Sequence, residues 1–129
     1  MIKLPSQQIY DACFKTCAEL GYDVYDYLPD DATKYPFVFM AETNQVDDPT
    51  KTQINGYVYQ TIHVYGLKNS RVEVTNMANA ILAAFRKLKA VETMHIALEN
   101  NYTNIRTILD TSTKTQLWHS VIDVRFRFF

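Results

Sequence analysis

The side chains of this protein best equipped for chemistry sit in one short stretch. Within "KYPFVFMAETNQVDDPTK", residues 34–51, Glu42, Asp47, Asp48 and Lys51 follow directly on a compact aromatic run. Carboxylates beside a lysine can hold a cation or exchange protons. A catalytic pair of acids, however, needs neighbours that desolvate one of them and so separate the two pKa values. Asp47 and Asp48 are adjacent, so in extended chain they point to opposite sides, and "DDPTK" has the composition of a solvent-facing turn. The expectation is a polar loop between two strands, of the kind that a rigid scaffold presents to a partner.

The remaining candidates for chemistry are sparse. His63, His95 and His119 occur singly on three expected strands, and three imidazoles could bind zinc if those strands were neighbours. No pattern of supporting residues accompanies them, so sheet-face histidines without metal are expected. Cys13 and Cys17 lie within one helical pattern, without a second pair to complete a zinc site, and read as small buried hydrophobes. Gly21, Gly56 and Gly66 are the only glycines, which excludes a phosphate-cradling G-x-G-x-x-G or P-loop. There is no G-x-S-x-G nucleophile elbow either. No catalytic residue, metal ligand or cofactor is assigned.

These residues must be positioned by a small set of elements. Ile9, Cys13, Phe14, Cys17 and Leu20 repeat at helical spacing behind Ser6 as N-cap, and Gly21 ends the helix as a left-handed cap. A short strand near Val24 to Leu28 and a turn through Pro29, Asp30 and Asp31 follow. Phe37 to Glu42 is a nearly all-apolar strand, expected to be covered on both faces. In "INGYVYQTIHVYG", Val58, Gln60, Ile62 and Val64 share one face, while Tyr57, Tyr59, Thr61, His63 and Tyr65 share the other. Ser70 and Glu73 fit a capping box ahead of the stripe Val74, Met77, Ala78, Ile81, Phe85 and Leu88. Arg86, Lys87 and Lys89 suit the negative end of that helix. Strands near Met94–Leu98, Asn104–Asp110 and Leu117–Phe129 complete the chain. In the last, Ile122, Val124, Phe126 and Phe128 oppose Asp123, Arg125 and Arg127.

Helix, three strands, helix, then two or three strands implies an α+β fold: an antiparallel sheet of about five or six strands with both helices packed on one face. The 129 residues read as a single domain, with no repeat or linker. The formal net charge of −1 supplies no overall field toward nucleic acid or an anionic membrane. No segment has the apolar length of a membrane span, and the N-terminus lacks a signal-peptide pattern, so a soluble cytosolic product is expected.

Two features read as binding surface. Tyr57, Tyr59 and Tyr65 give a tyrosine-rich sheet face of the kind interfaces favour, unless that face is simply covered. Arg125 and Arg127 alternate with Phe126 and Phe128, as in RNA-binding sheets, but there the rings and guanidinium groups lie on opposite faces of the strand.

The stretches "DVYDYLPDDATKYPFVFMAE", "DDPTKT", "YQTIHVYG", "SRVEVTNMANAILAAF" and "VIDVRFRFF" resemble, in that order, the tail-terminator, tail-completion and tail-to-head joining proteins of long-tailed bacteriophages. The resemblance spans about residues 22–90 and the last strand. It implies a non-enzymatic virion structural protein, assembled in the host cytoplasm, that caps the head-proximal end of the tail tube as a ring, typically a hexamer. Such a ring ends tube polymerisation and offers a surface to the head. The implied partners are further copies of the chain, the tail-tube protein and a head-completion or connector protein. Genomic DNA would pass through the lumen without sequence-specific binding, and no membrane is involved. On this reading residues 43–55 form an arm onto a neighbour, with Asp48 and Lys51 pairing across the contact. Asp47, Gln53, Tyr57, Tyr59 and Tyr65 complete the expected interface. A head-completion or minor capsid protein, a small enzyme using His63 and the acidic loop, and an RNA-binding sheet are the alternatives.

Overall fold

The computed structural model describes residues 2–30, 33–48, 55–112 and 116–129. Its elements in chain order are α1 (Pro5–Glu19), β1 (Val24–Tyr25), β2 (Phe37–Asp47), β3 (Gly56–Leu67), α2 (Arg71–Arg86), β4 (Ile96–Leu98), a 3-10 turn (Asn100–Tyr102), β5 (Asn104–Asp110) and β6 (Leu117–Phe128). The fold is α+β. One six-stranded sheet runs β1-β2-β3-β6-β4, and β5 pairs with β6 alongside β4. Every pairing is antiparallel except β1 with β2, which is parallel and only two residues long.

Both helices cover the same face. Ile9, Cys13 and Cys17 of α1 and Val74, Met77, Ala78, Ile81 and Phe85 of α2 join Val38, Met40, Val58, Ile62, Val64, Ile122, Val124, Phe126 and Phe128 in one buried cluster. The period-2 apolar positions of β3 and β6 thereby meet the period-3.6 stripes of the helices. Phe85 and Phe126 anchor the contact, with ring centroids 5.9 Å apart.

Four expectations about the elements are corrected. β2 does not stop at Glu42 but continues to Asp47, with Thr43↔Gln60 through Asp47↔Gly56 in register with β3. Backbone pairing is indifferent to side-chain polarity, so a polar stretch beside a long partner strand stays in the ladder. The register shifts between Met40 and Thr43, and the buried Gln60 side chain donates to the Ala41 carbonyl beside this irregularity, at 3.2 Å. The strand expected to reach Leu28 ends at Tyr25. Helix α1 starts at Pro5, two residues earlier than a Ser6 cap requires, and Leu4 takes the N-cap position. Pro5 brings no N–H of its own, and the Ser6 N–H donates to Gln45 Oε1 of β2 at 2.9 Å. Ser70 does occupy the N-cap of α2, but its hydroxyl makes no capping bond.

Other local signals hold. Gly21 sits at φ 92 behind α1, where the left-handed conformation favours glycine. The strands expected near Asn104–Asp110 and Leu117–Phe129 form β5 and β6. Phe37, Val38 and Met40 are buried as the all-apolar run implied, while Phe39 is half-buried.

Candidate interaction surface

The sheet face turned away from the helices carries the residues singled out for chemistry. Because β3 and β6 are long antiparallel neighbours, Tyr57 faces Arg127, Tyr59 faces Arg125, Thr61 faces Asp123 and Tyr65 faces His119 across the ladder. The face divides into two clusters, between which Thr61 donates a hydrogen bond to Asp123 at 2.7 Å.

One cluster is built around Arg125. Its guanidinium lies 3.3 Å from the Tyr102 ring centroid and 4.1 Å from that of Tyr57, held between the two rings. Its Nε donates to Glu99 Oε1 at 2.7 Å, and it also donates to the Tyr59 hydroxyl at 3.2 Å. The charge is therefore neutralised and sheltered within the chain. Arg127 rests over Phe129 instead.

The other cluster is aromatic. Phe37 stacks on Tyr65 at 5.1 Å, and Tyr65 on His119 at 4.1 Å. His63 Nδ1 and His119 Nε2 approach to 2.6 Å, and Asp110 Oδ2 lies 4.0 Å from His119 Nδ1. Burial lowers the pKa of His119 to about 4, reinforced by the neighbouring His63, while Asp110 acts against the shift. His63 is lowered as well, first by burial. Both rings are neutral at neutral pH, one donating to the other. Burial raises the Tyr65 hydroxyl, which stays protonated.

Two of the three histidines thus converge, and His95 does not: it stacks on Phe129 at the far end of β6. Among the described residues no group of three or more His, Cys, Asp or Glu side chains is arranged to hold a metal ion. The carboxylates of the opening stretch do not assemble into a site either. Asp47 accepts a hydrogen bond from Gln45 Nε2 at 2.7 Å, and the Asp48 N–H closes the hairpin onto the Asn55 carbonyl at 2.8 Å. Lys51 and Gln53 lie outside the described residues. His63 pairs with Phe39 and Asp47 with Gly56, so seven strand residues, roughly 24 Å, separate the histidine from the acidic turn. Glu42, at the start of the polar stretch, does act on His63, its charge opposing the lowering of the imidazole pKa by burial.

A groove of about 640 Å³ opens between the chain ends, lined by Ile2, Leu4, Pro5, Met94, Phe128 and Phe129 among others. Gln8 and Gln45, the amides on its wall, are committed to internal bonds with Thr93 and with the start of α1.

Residues 7–128 match the family described as "Tail completion protein gp17". The chain belongs to that family. It is a structural component of a phage-type tail, as the sequence resemblance implied. No curated protein sequence matches the chain. A chain from the structure titled "Virion of native gene transfer agent (GTA) particle" has the same fold, with a TM-score of 0.65 at 14% identity, over 92% of this chain and 91% of that one.

Sequence reasoning placed the tyrosines and the arginines on their own strand faces correctly but missed that they share one face of the sheet. The argument that rings and guanidinium groups are segregated holds within β6 and fails across β3–β6. Only the pairing register carries that information. Glu99 and Tyr102, which complete the Arg125 cluster, belong to a connection with no periodic signal at all.

Proposed function

We propose that this tail completion protein acts as a ring on the head-proximal end of the tail tube, where it ends tube polymerisation and presents the surface that the head engages. The observation that supports this best is one-sided layering. Both helices cover one sheet face, and the opposite face offers partly exposed Tyr57, Tyr59 and Tyr65 on a rigid ladder, pre-ordered for contact at low entropic cost. Family membership supplies the setting, a structural component of the virion.

On this reading Tyr57, Tyr59 and Tyr65 contribute to the contact with the neighbouring copy or the tail-tube protein. Asp47 and Asp48, where β2 ends, with Lys51 and Gln53 of the following sequence, form the reach between subunits. Exposed ion pairs contribute only about 0–1 kcal/mol each, so repetition of the contact around a hexameric ring supplies the avidity. DNA passes through the lumen without sequence-specific contacts, and a net charge of −1 per chain gives the ring little grip on it.

The test is electron microscopy of a lysate from phage with a stop codon in this gene, assembled in the host cytoplasm. Overlong tubes beside DNA-filled tailless heads are the expected result. Tails of normal length beside separate full heads would mean joining without length control, and defective or unfilled heads a head-completion role. Intact infectious particles would overturn the assembly reading. Because residues 43–47 belong to the ladder, the arm is tested by replacing residues 49–54 with a two-residue turn. A folded chain that no longer attaches to tails is expected.

A further inference from the structure

We infer that, within the proposed ring, the open edge of β5 docks onto the acidic segment 23–28 at the opposite sheet edge of the next copy. This rests on the ring reading and adds which surfaces meet. β5 pairs with β6 along one side only; among the described residues nothing pairs with its other side. The backbone N–H and C=O groups of alternate residues between Asn104 and Asp110, those not bonded to β6, therefore face outward, ready to accept another strand.

Its side chains are those of an interface. Ile105, Ile108 and Leu109 are 40%, 40% and 45% exposed. Ile108 lies beside His119 on the outer face, whereas Ile105 and Leu109 lie beside Ile122 and Trp118 on the helix side. Both faces of the strand thus present apolar surface. Protected edges of monomeric proteins carry lysines, prolines or bulges instead. The single cation of β5 is Arg106, which is exposed and forms no salt bridge with another described residue.

The other edge is complementary. β1 ends after two residues and leads into Asp26, Tyr27 and Leu28, with Tyr27 63% and Leu28 60% exposed. Asp23 and Asp26 are exposed on the same short segment. Apolar residues flanked by aspartates thus face apolar residues flanking an arginine. The two edges lie across β1-β2-β3-β6-β5, four inter-strand spacings or about 19 Å apart, so one copy cannot satisfy both. They also differ from each other, which makes the contact heterologous, the type that propagates head to tail and closes into a ring.

The test places Tyr27→Cys and Ile108→Cys in one chain and treats assembled phage particles with a short bismaleimide. The native thiols, Cys13 and Cys17, are buried and do not compete. A ladder of covalent multimers is expected on a denaturing gel, and neither single variant produces it. Particles that carry the ring by microscopy yet yield no ladder overturn the edge pairing and leave the ring standing. Particles that contain the protein without a ring overturn both. For a double-cysteine chain that fails to assemble, charge reversal decides. Arg106→Glu and Asp26→Arg are each expected to lower incorporation into tails by about tenfold, and the two together to restore it. Failure of the combination to restore assembly overturns the pairing.

Discussion

Acid weakens this fold through the imidazole pair on its outer face, and the size of the effect follows from the geometry. His63 Nδ1 and His119 Nε2, 2.6 Å apart, share one hydrogen bond, so a second proton would set donor against donor. His119, with only 11% of its side chain exposed, falls from the ordinary 6.5 to about 4, chiefly through burial. Between those values the unfolded chain binds a proton that the folded chain refuses. Stability from this residue is therefore complete above 6.5 and is lost as the pH falls toward about 4. The full window corresponds to roughly 3 kcal/mol, and the step from about pH 7 to about pH 5 to roughly 2 kcal/mol, less whatever ring movement relieves. Asp11 and Asp110 are lowered from 3.8, so their contributions are lost at still lower pH and do not overlap. Urea unfolding at a series of pH values, followed by the fluorescence of the sole tryptophan, Trp118, and by circular dichroism, measures the slope. His119→Phe keeps a ring over Tyr65 and is expected to flatten it. Wild-type stability that is unchanged from pH 7 to pH 5, or a His119→Phe chain with the wild-type slope, would refute the reasoning.

Three further outcomes are expected. In Gly56→Ala the new Cβ stands 2.4 Å from the Val46 carbonyl oxygen and 2.7 Å from the Phe128 ring, so the hairpin must shift. A loss of roughly 1–3 kcal/mol is expected in thermal unfolding, and an unchanged midpoint would contradict the close packing. Burial pushes both cysteine thiols up, Cys17 to about 12, so a maleimide at neutral pH should label neither in the native chain and both in urea, counted by mass spectrometry. Arg125→Lys keeps the charge but loses the planar group between Tyr57 and Tyr102. A cost of about 1–2 kcal/mol in urea unfolding is expected, and a neutral result would mean that the stacking contributes little.

Much of the scaffold was legible along the chain because its signals are local. Apolar spacing alone located α2 and the inner faces of β3 and β6, since a helix or strand that must bury one face repeats its apolar residues at its own period. Gly21 announced its left-handed cap in the same way. The polar second half of β2 was not legible, because ladder bonds hold backbone groups whatever the side chains are. Nor was the start of α1, where the Ser6 N–H is satisfied by Gln45, 39 residues away. The order of the motifs pointed to the tail completion family without any single sharp site, as suits a protein whose function lies in surfaces. What only the tertiary structure decided is which residues stand together. It brought His63 to His119 and left His95 apart, set Arg125 between tyrosines from two different elements, and kept Asp47 away from the histidines. Those relations depend on strand order and register, which arise from the packing of the whole chain and leave no periodic trace in any one segment.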